Sequence, residues 1–476
     1  MKTSSPSNNI VHFVGIGGIG TSALARWFLS RGYKVSGSDL TSSEITQKLK
    51  KEGVKIFIGH KASNLPRNAQ MLVRSAALPL LSPEIKEATK LKIPVKTYAE
   101  ALGGLTRQYE TIAIAGAHGK STSTSILSLI LIKAKLDPTV IVGTNLKEFD
   151  GTNFRKGKKS LVIEADEYQE SFLNYSPAAA MITNIDKEHL DFYSDLATIK
   201  DAFLKFIANI KPGGTLVVNK DNKNLYDLKD KIRKIAKDNN LKVFWYGEAV
   251  NSSLTRRISA SLKIPGDHNV SNALGIYTLA KTLGAKEDDI FSVFKTFNGA
   301  WRRMEYRGQL KTKNLKLETN IYDDYAHHPS EIMATLSGMA KKYPKSFLVC
   351  VFQPHQVKRL EALFTEFTEA FDDANALILL DIYKVPGRDE VSQNINSLTL
   401  KNTIERRLKS LKNVQKKPSR VPFRLQEVIY LPYSDYSPKA LKSCLVDLIK
   451  NSPLNSANVI MMGAGDIYKM TDHLLK

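Results

Sequence analysis

Cysteine is nearly absent. Cys350 and Cys444 are the only two in 476 residues. That is too few for a disulfide framework or a cysteine-built zinc site, and it makes a reducing, cytoplasmic setting the expectation. No stretch approaches the roughly 18 uncharged apolar residues of a membrane span, so no membrane insertion is expected. The opening residues, MKTSSPSNNIVHF, carry one lysine and neither a long apolar run nor a small-residue cleavage site, unlike a secretory signal. Acidic residues are also short: 47 Asp and Glu stand against 69 Lys and Arg, a formal charge of +22. Such an excess suits polyanions, whether nucleic acid, nucleotide or acidic metabolite. The lysines are scattered, however (Lys48, Lys50 and Lys51; Lys156, Lys158 and Lys159; Lys341, Lys342 and Lys345), with no basic tail and no basic block interleaved with aromatics. A solvated surface accounts for most of this charge, and no nucleic-acid partner is expected. Solenoid repeats and low-complexity tracts are missing too.

What is present is apolar material enough for real cores, 42% of the chain. The length is that of about three domains of roughly 150 residues. Ile10–Val14 reads as a strand, Ser22–Leu29 as a helix closing at Arg31-Gly32, and Lys34–Asp39 as a second strand; this is a β-α-β unit, the mark of a parallel sheet. Short strands recur at Lys55–Ile58 and Met71–Val73. A second segment opens with the buried-strand pattern Thr111–Ala115 and a helix from Thr122 to about Lys133, with further strands at Ser160–Glu164 and Ala178–Asn184. A third begins near Leu315 and holds Phe347–Phe352, Ala376–Asp381 and Asn458–Met462. The expectation is an α/β chain of three domains: a Rossmann-like domain over 1–107, a central P-loop-type ATPase domain with a mostly parallel sheet over 108–313, and a Rossmann-like domain over 314–476.

Gly15-Ile16-Gly17-Gly18-Ile19-Gly20 fits G-x-G-x-x-G between a strand and a helix, and the next strand ends in an acid, Asp39. Glycines let the backbone approach closely, and a helix N-terminus offers N–H groups to a pyrophosphate. The motif alone does not separate NAD from FAD or a UDP-sugar, since each presents a diphosphate and a ribose.

Gly116-Ala117-His118-Gly119-Lys120-Ser121 also follows a strand and opens a helix rich in hydroxyls. Phosphate binding needs backbone N–H donors, a lysine for the β- and γ-phosphates and a Ser or Thr hydroxyl for Mg²⁺. All three are here, although Ile114 stands where the longer G-x-x-x-x-G-K-[ST] pattern would place its first glycine. A nucleoside triphosphate with Mg²⁺ is therefore the expected ligand of this loop. Glu164 ends a strand and is the natural carboxylate for the ion, at the head of the acidic run Glu164-Ala165-Asp166-Glu167. His189 follows the neighbouring strand in Asn184-Ile185-Asp186-Lys187-Glu188-His189-Leu190-Asp191. It reads equally as a metal contact or as a solvated loop histidine.

Together these motifs resemble the Mur ligase family. The likeness also takes in Thr183-Asn184-Ile185, Pro265–Ala273, Arg302-Arg303-Met304-Glu305, Asp323–Pro329, Phe352-Gln353-Pro354-His355 and Gly463–Ile467. It implies ATP-dependent joining of an amino acid, L-alanine, to the lactyl carboxylate of UDP-N-acetylmuramate through an acyl phosphate. By that resemblance Gly15, Gly17, Gly18, Ile19 and Gly20 hold the UDP-sugar diphosphate, with Asp39, His60 and Ser75 near the uridine and sugar end. Gly116, Ala117, His118, Gly119, Lys120, Ser121 and Thr122 cradle ATP, with Asn269 and Asn272 toward adenine, Arg303 on the phosphate side and Asp324 at the ribose. Ser121, Glu164 and His189 hold Mg²⁺. His327, His328, His355 and Arg359 meet the amino acid and acyl phosphate, and Lys120, His189, His328, His355 and Arg359 form the catalytic set. The protein is expected to act as a monomer or weak homodimer. The chain departs from the family pattern at Ala117 and Ser121, each a threonine position, and at Tyr168-Gln169, where alanine-adding members carry Ser-Asp and tripeptide-recycling murein peptide ligases also carry Tyr. Gln356 stands at an arginine position. The added group (L-alanine, glycine, serine or a recycled tripeptide) and the histidine acting as base stay open.

Two rival readings come from different classes. A nicotinamide oxidoreductase accounts for Gly15–Gly20 and Asp39 but leaves the second glycine loop without a role. A nucleic-acid-binding nucleotide switch accounts for the charge, and predicts duplex binding with a steep salt dependence.

Overall fold

A computed structural model describes residues 9–75, 82–189, 192–312, 317–383, 395–414, 424–434 and 437–475. Leu315, Leu190 and Asp191 lie outside the described residues. The fold is α/β with three mostly parallel sheets. The backbone gathers into two compact units, Met1–Ser261 with Ser271–Thr296, and Leu262–Val270 with Phe297–Lys476.

The first unit holds two sheets. The five-stranded one comprises β1 (Ile10–Val14), β2 (Lys34–Asp39), β3 (Lys55–Ile58), β4 (Ala69–Arg74) and β5 (Val95–Thr97), ordered β3-β2-β1-β4-β5 and parallel throughout. The order reverses at β1, so loops leaving β1 and β4 diverge there and open a crevice beyond the carboxyl ends. Alternation along β1 serves both faces. Val11 and Phe13 join a large core with helix Ile19–Ser30, whereas Val14 packs with Leu72, Ile85 and Ala88 on the other side. His12 shares the second face and is fully buried.

The seven-stranded sheet comprises β6 (Glu110–Ala115), β7 (Thr139–Leu146), β8 (Thr152–Arg155), β9 (Ser160–Ala165), β10 (Ala179–Ile182), β11 (Thr215–Asn219) and β12 (Lys242–Tyr246). Its order is β12-β11-β10-β6-β9-β7-β8, and only the β7–β8 hairpin is antiparallel. β6 lies between β9 and β10, which puts the loops after all three at one edge. Small residues Ala113 and Ala115 on β6 admit the Phe203 and Phe206 side of the same core.

The second unit carries β13 (Glu305–Gln309), β14 (Glu318–Asp324), β15 (Phe347–Phe352), β16 (Ala376–Leu380), β17 (Glu427–Leu431) and β18 (Ser456–Met462), ordered β13-β14-β18-β15-β16-β17. β13 pairs antiparallel with β14, so the sheet recruits residues before 313, the boundary expected from sequence. Leu348, Cys350 and Phe352 of β15 face one core and Val349 and Val351 the other, the period of a strand buried on both sides. No described helix is long and apolar enough to cross a membrane.

Candidate active site

The glycine turn after β1 is held from two directions. Gly17 N donates to Asp39 Oδ2 at 2.8 Å, and Thr21 Oγ1 donates to the carbonyls of Gly15 (2.7 Å) and Gly18 (3.0 Å). Gly15 adopts φ +77, open to glycine without strain. A methyl on Gly17 would sit 2.9 Å from Asp39 Oδ2, and one on Gly20 2.9 Å from the Tyr98 ring. Helix Ile19–Ser30 starts with no side-chain cap and no acid in its first turn. Its positive end is left for an anion. Asp39 thus fastens the turn with one oxygen. His60 Nδ1 lies 2.9 Å from Ser38 Oγ, and Ser75 follows β4 with its N–H on the Val14 carbonyl at 3.0 Å. All eight residues expected around the sugar nucleotide therefore gather at one end of one sheet.

The second loop joins β6 to helix Lys120–Lys133, two residues earlier than the helix start read from sequence. Gly116 (φ +134) and Gly119 (φ +84) are both left-handed. Added methyls would come within 2.0 Å of Thr183 Oγ1 and 2.4 Å of Asn272 Nδ2, so bare backbone is required. The loop is pinned from β10: His118 N donates to Asn184 Oδ1 at 2.9 Å, and Thr183 Oγ1 to the His118 carbonyl at 2.7 Å.

Lys120 Nζ donates to the carbonyls of Gly116 (2.6 Å) and Ala117 (3.1 Å) and to Glu167 Oε2 (2.9 Å). Burial alone would lower the pKa of this ammonium; Glu167 and Asp166 outweigh it and hold the group above the usual lysine range. Glu167 is fully buried. Desolvation opposes its charge, but Lys120 and His189 carry its pKa down to about 2. His189 Nε2 stands 3.5 Å from Glu167 Oε1, and the Tyr168 ring lies 4.7 Å from the imidazole. Burial works against the imidazolium, and the hydrogen bond it donates to Glu167, with that carboxylate's charge, more than compensates, raising the His189 pKa.

Ser121 Oγ donates to Glu164 Oε2 at 3.1 Å, while Glu164 Oε1 accepts from Gly143 N at 2.6 Å. The three residues expected on the metal divide accordingly: Ser121 with Glu164, and His189 with Glu167. One ligand atom each from Asp166, Glu167 and His189 lies within 4.8 Å of the others. Sequence reading noted the acidic run without assigning Glu167. Which carboxylate of the run turns toward Lys120 depends on the chain's path after β9.

In the second unit the remaining expected residues lie largely beyond the carboxyl ends of β14 and β15. Asp324 accepts from Ala326 N (2.7 Å) and Met304 N (3.0 Å), and burial pushes its pKa up to about 6 against these bonds and Arg303. The Arg303 guanidinium lies 4.7 Å over the Tyr325 ring. His328 caps helix Pro329–Lys342, with Nδ1 2.8 Å from Ser330 Oγ. His355 stacks on Tyr383 at 5.5 Å and 8°. Arg359 follows in helix Val357–Ala362, and its Nη1 is buried without a hydrogen-bond partner among the described residues. Burial drives His327 down to about 3, with Arg359 and His355 adding to the effect against Glu331. Gln356 takes φ +68, a left-handed conformation unusual outside glycine. Asn269 donates to the Pro265 carbonyl at 2.5 Å within this unit, whereas Asn272 belongs with the first.

Comparison with known proteins identifies the family. Residues 10–110 match the Mur ligase family, catalytic domain; 114–280 match the Mur ligase middle domain; 302–420 match the Mur ligase, glutamate ligase domain. A UDP-N-acetylmuramate–L-alanine ligase of Clostridium botulinum (strain Okra / Type B1) is 39% identical, covering 97% of this chain and 96% of the relative. One from Clostridium perfringens is 42% identical over 80% of this chain and 85% of its own. Among solved structures, a UDP-N-acetylmuramate-alanine ligase of Thermotoga maritima shares the fold with TM-score 0.72 and 23% identity, covering 98% of both chains. A murein peptide ligase of Psychrobacter arcticus does so with TM-score 0.64 and 20% identity, over 98% of this chain and 99% of that one. With family matches along most of its length and relatives this similar from end to end, the chain belongs to the Mur ligase family.

Proposed function

We propose that this protein is an ATP-dependent ligase that joins L-alanine to the lactyl carboxylate of UDP-N-acetylmuramate in peptidoglycan precursor synthesis. The observation that carries the reading is the second loop, where Lys120, Ser121 and Glu164 converge on one phosphate cradle. A single diphosphate-binding enzyme has no use for a second such loop. Similarity to L-alanine ligases over nearly the whole chain supports the choice of substrates. In this reading 1–107 takes the sugar nucleotide, 108–313 ATP, and 314–476 the amino acid. The enzyme works in the cytoplasm as a monomer or weak homodimer.

A carboxylate is a poor electrophile. Transfer of the ATP γ-phosphoryl group to it yields an acyl phosphate and ADP. The amine then attacks the carbonyl carbon, a tetrahedral intermediate forms, and phosphate leaves as the amide closes. The protein's contribution is positioning and charge neutralisation around crowded anions. The first turn orients the diphosphate on the open end of helix Ile19–Ser30. Lys120, charged at all working pH values, sits over the phosphate loop. Ser121 and Glu164 present hard oxygens side by side and would hold Mg²⁺, while His189, paired with Glu167, would have to give up its proton to join them; when bound, the ion would neutralise phosphate charge. Arg359 offers its buried guanidinium nitrogen to the amino acid carboxylate. Burial holds His327 as a neutral imidazole, and His327, His328 and His355 are the three side chains that could take the ammonium proton.

The test supplies ATP, Mg²⁺ and UDP-N-acetylmuramate with L-alanine, glycine, L-serine or a muropeptide-derived tripeptide, and reads phosphate release and product mass. Phosphate with L-alanine and a product heavier by one alanyl residue are expected. Turnover with the tripeptide alone would make the protein a murein peptide ligase. No phosphate with any amine would end the ligase reading.

A further inference from the structure

The two glycine loops of the first unit sit on different sheets, and phosphoryl transfer requires their ligands to meet in one geometry. The β7–β8 hairpin touches the supports of both.

On β8, Asn153 is fully buried. Its Nδ2 donates to Ser22 Oγ at 3.0 Å and to the Ile19 carbonyl, both in the first turn of the helix that follows the diphosphate turn. Its Oδ1 accepts from Arg26 Nη1 at 2.8 Å, one turn further along. Arg26 in turn clasps Glu52 at 2.7 and 3.1 Å. An amide with both ends engaged in a buried network specifies a single arrangement. Bonds to Ile19, Ser22 and Arg26 fix both the rotation and the axial position of the helix.

On β7, pairing with β9 runs through Ile141 opposite Ile163, and the register with β8 shifts between Ile141 and Leu146. In that break Gly143 N reaches Glu164 Oε1 at 2.6 Å, and Glu164 Oε2 accepts from Ser121 of the phosphate loop. A methyl on Gly143 would sit 2.7 Å from Glu164 Oε2, so the close approach depends on glycine. Contact is therefore continuous from Ile19 and Ser22 through Asn153, the hairpin, Gly143 and Glu164 to Ser121.

We infer that the hairpin Thr139–Arg155 is the spacer that sets the separation of the two anion cradles, and that Asn153 is a positioning residue holding the first cradle to it. Being fully buried, Asn153 touches neither ligand. The catalytic consequence rests on the proposed ligase reading, whereas the mechanical role does not.

The experiment uses the full chain carrying Asn153→Ala. Loss of the spacer should lower kcat by about tenfold or more, since a displacement of about 1 Å away from the chemistry can cost about a hundredfold. Calorimetric Kd values for UDP-N-acetylmuramate alone and for a non-hydrolysable ATP analogue alone should each stay within about threefold, below about 0.7 kcal/mol. Amide hydrogen exchange over Ile19–Arg26 should accelerate. An unchanged kcat in the folded variant overturns the inference. So does a fall in UDP-N-acetylmuramate affinity as large as the fall in kcat/KM, which would make Asn153 part of the first pocket. Ser22→Ala, which removes one of the three bonds, carries the same measurements should Asn153→Ala fail to fold, with a smaller shift of the same sign. If the wild-type protein turns over no amine, the ligase reading fails, and the exchange data judge the spacer alone: unaltered protection over Ile19–Arg26 overturns it.

Discussion

Lys120 Nζ lies 2.9 Å from Glu167 Oε2 while also donating to the Gly116 carbonyl, so the phosphate-loop lysine is folded back over its own loop onto a buried carboxylate. An incoming phosphate competes for a cation that already has a partner. The lysine stays charged and ordered until the nucleotide arrives.

Replacing Lys120 by alanine removes the main protein cation over the phosphates. Loss of a comparable transition-state donor costs about 3–4 kcal/mol, so turnover should fall by at least about a hundredfold. UDP-N-acetylmuramate affinity, measured by calorimetry, should stay nearly intact because Asp39 and the first glycine turn belong to another sheet. Collapse of sugar-nucleotide binding in this variant would contradict two separate cradles.

Glu167→Gln keeps the shape and deletes the charge that faces Lys120 and His189. Leaving a buried cation short of a charged hydrogen-bond partner costs about 1.5–3 kcal/mol. Thermal unfolding of the ligand-free variant should begin earlier. An ATP analogue should stabilise it more than it stabilises the wild type, since phosphate oxygens replace the missing carboxylate. Equal stabilisation of the two proteins would show that Glu167 does not hold the lysine for the nucleotide.

Gly17→Ala places a methyl against Asp39 Oδ2 and Thr46 Cγ2. The Gly17–Asp39 bond must lengthen and the turn must shift. UDP-N-acetylmuramate affinity should drop by about tenfold, about 1.4 kcal/mol, with ATP-analogue affinity unchanged. This is the mirror image of the Lys120→Ala result.

His12 supplies a pH dependence with a defined sign. Burial holds its pKa down to about 4, against the nearby Glu84 carboxylate, with His60 adding to the depression; Nδ1 rests 2.9 Å from Ser36 Oγ. The unfolded imidazole titrates near 6.5, so between these values the unfolded chain binds the extra proton. Stability from this group is complete above about pH 6.5 and is lost as pH falls toward 4. Between pH 6.5 and 5 the loss approaches about 2 kcal/mol. Exchange of β1 amides should show this slope in the wild type and a flatter one in His12→Gln. Asp323 and Asp324, both raised to about 6, act with the opposite sign in the second unit, so the comparison is made on β1 and not on whole-chain unfolding.

Much of this protein is legible in its amino-acid sequence. The strand Phe347–Phe352, FLVCVF, has the bounds read from its apolar run, as a parallel strand buried on both faces should; Lys34–Asp39, KVSGSD, has the bounds read from its place in the β-α-β unit, between Arg31-Gly32 and the acid that ends it. The hairpin β7–β8 is not legible there. Its polar positions, Thr144, Asn145, Thr152 and Asn153, break the apolar period that marks a strand. Glu167 was visible only as one acid among several.

The amino-acid order by itself determined both glycine turns, their helices and the family. A turn that needs left-handed backbone and free N–H groups is encoded within a few neighbouring residues. Tertiary structure alone decided that His189 stands with Glu167, that Gly143 N caps Glu164, and that Asn153 grips a helix more than a hundred residues earlier in the chain. Those pairings depend on which strands lie side by side and how far each loop travels past the sheet edge. They are set by burial of side chains distant in sequence, and no local pattern records them.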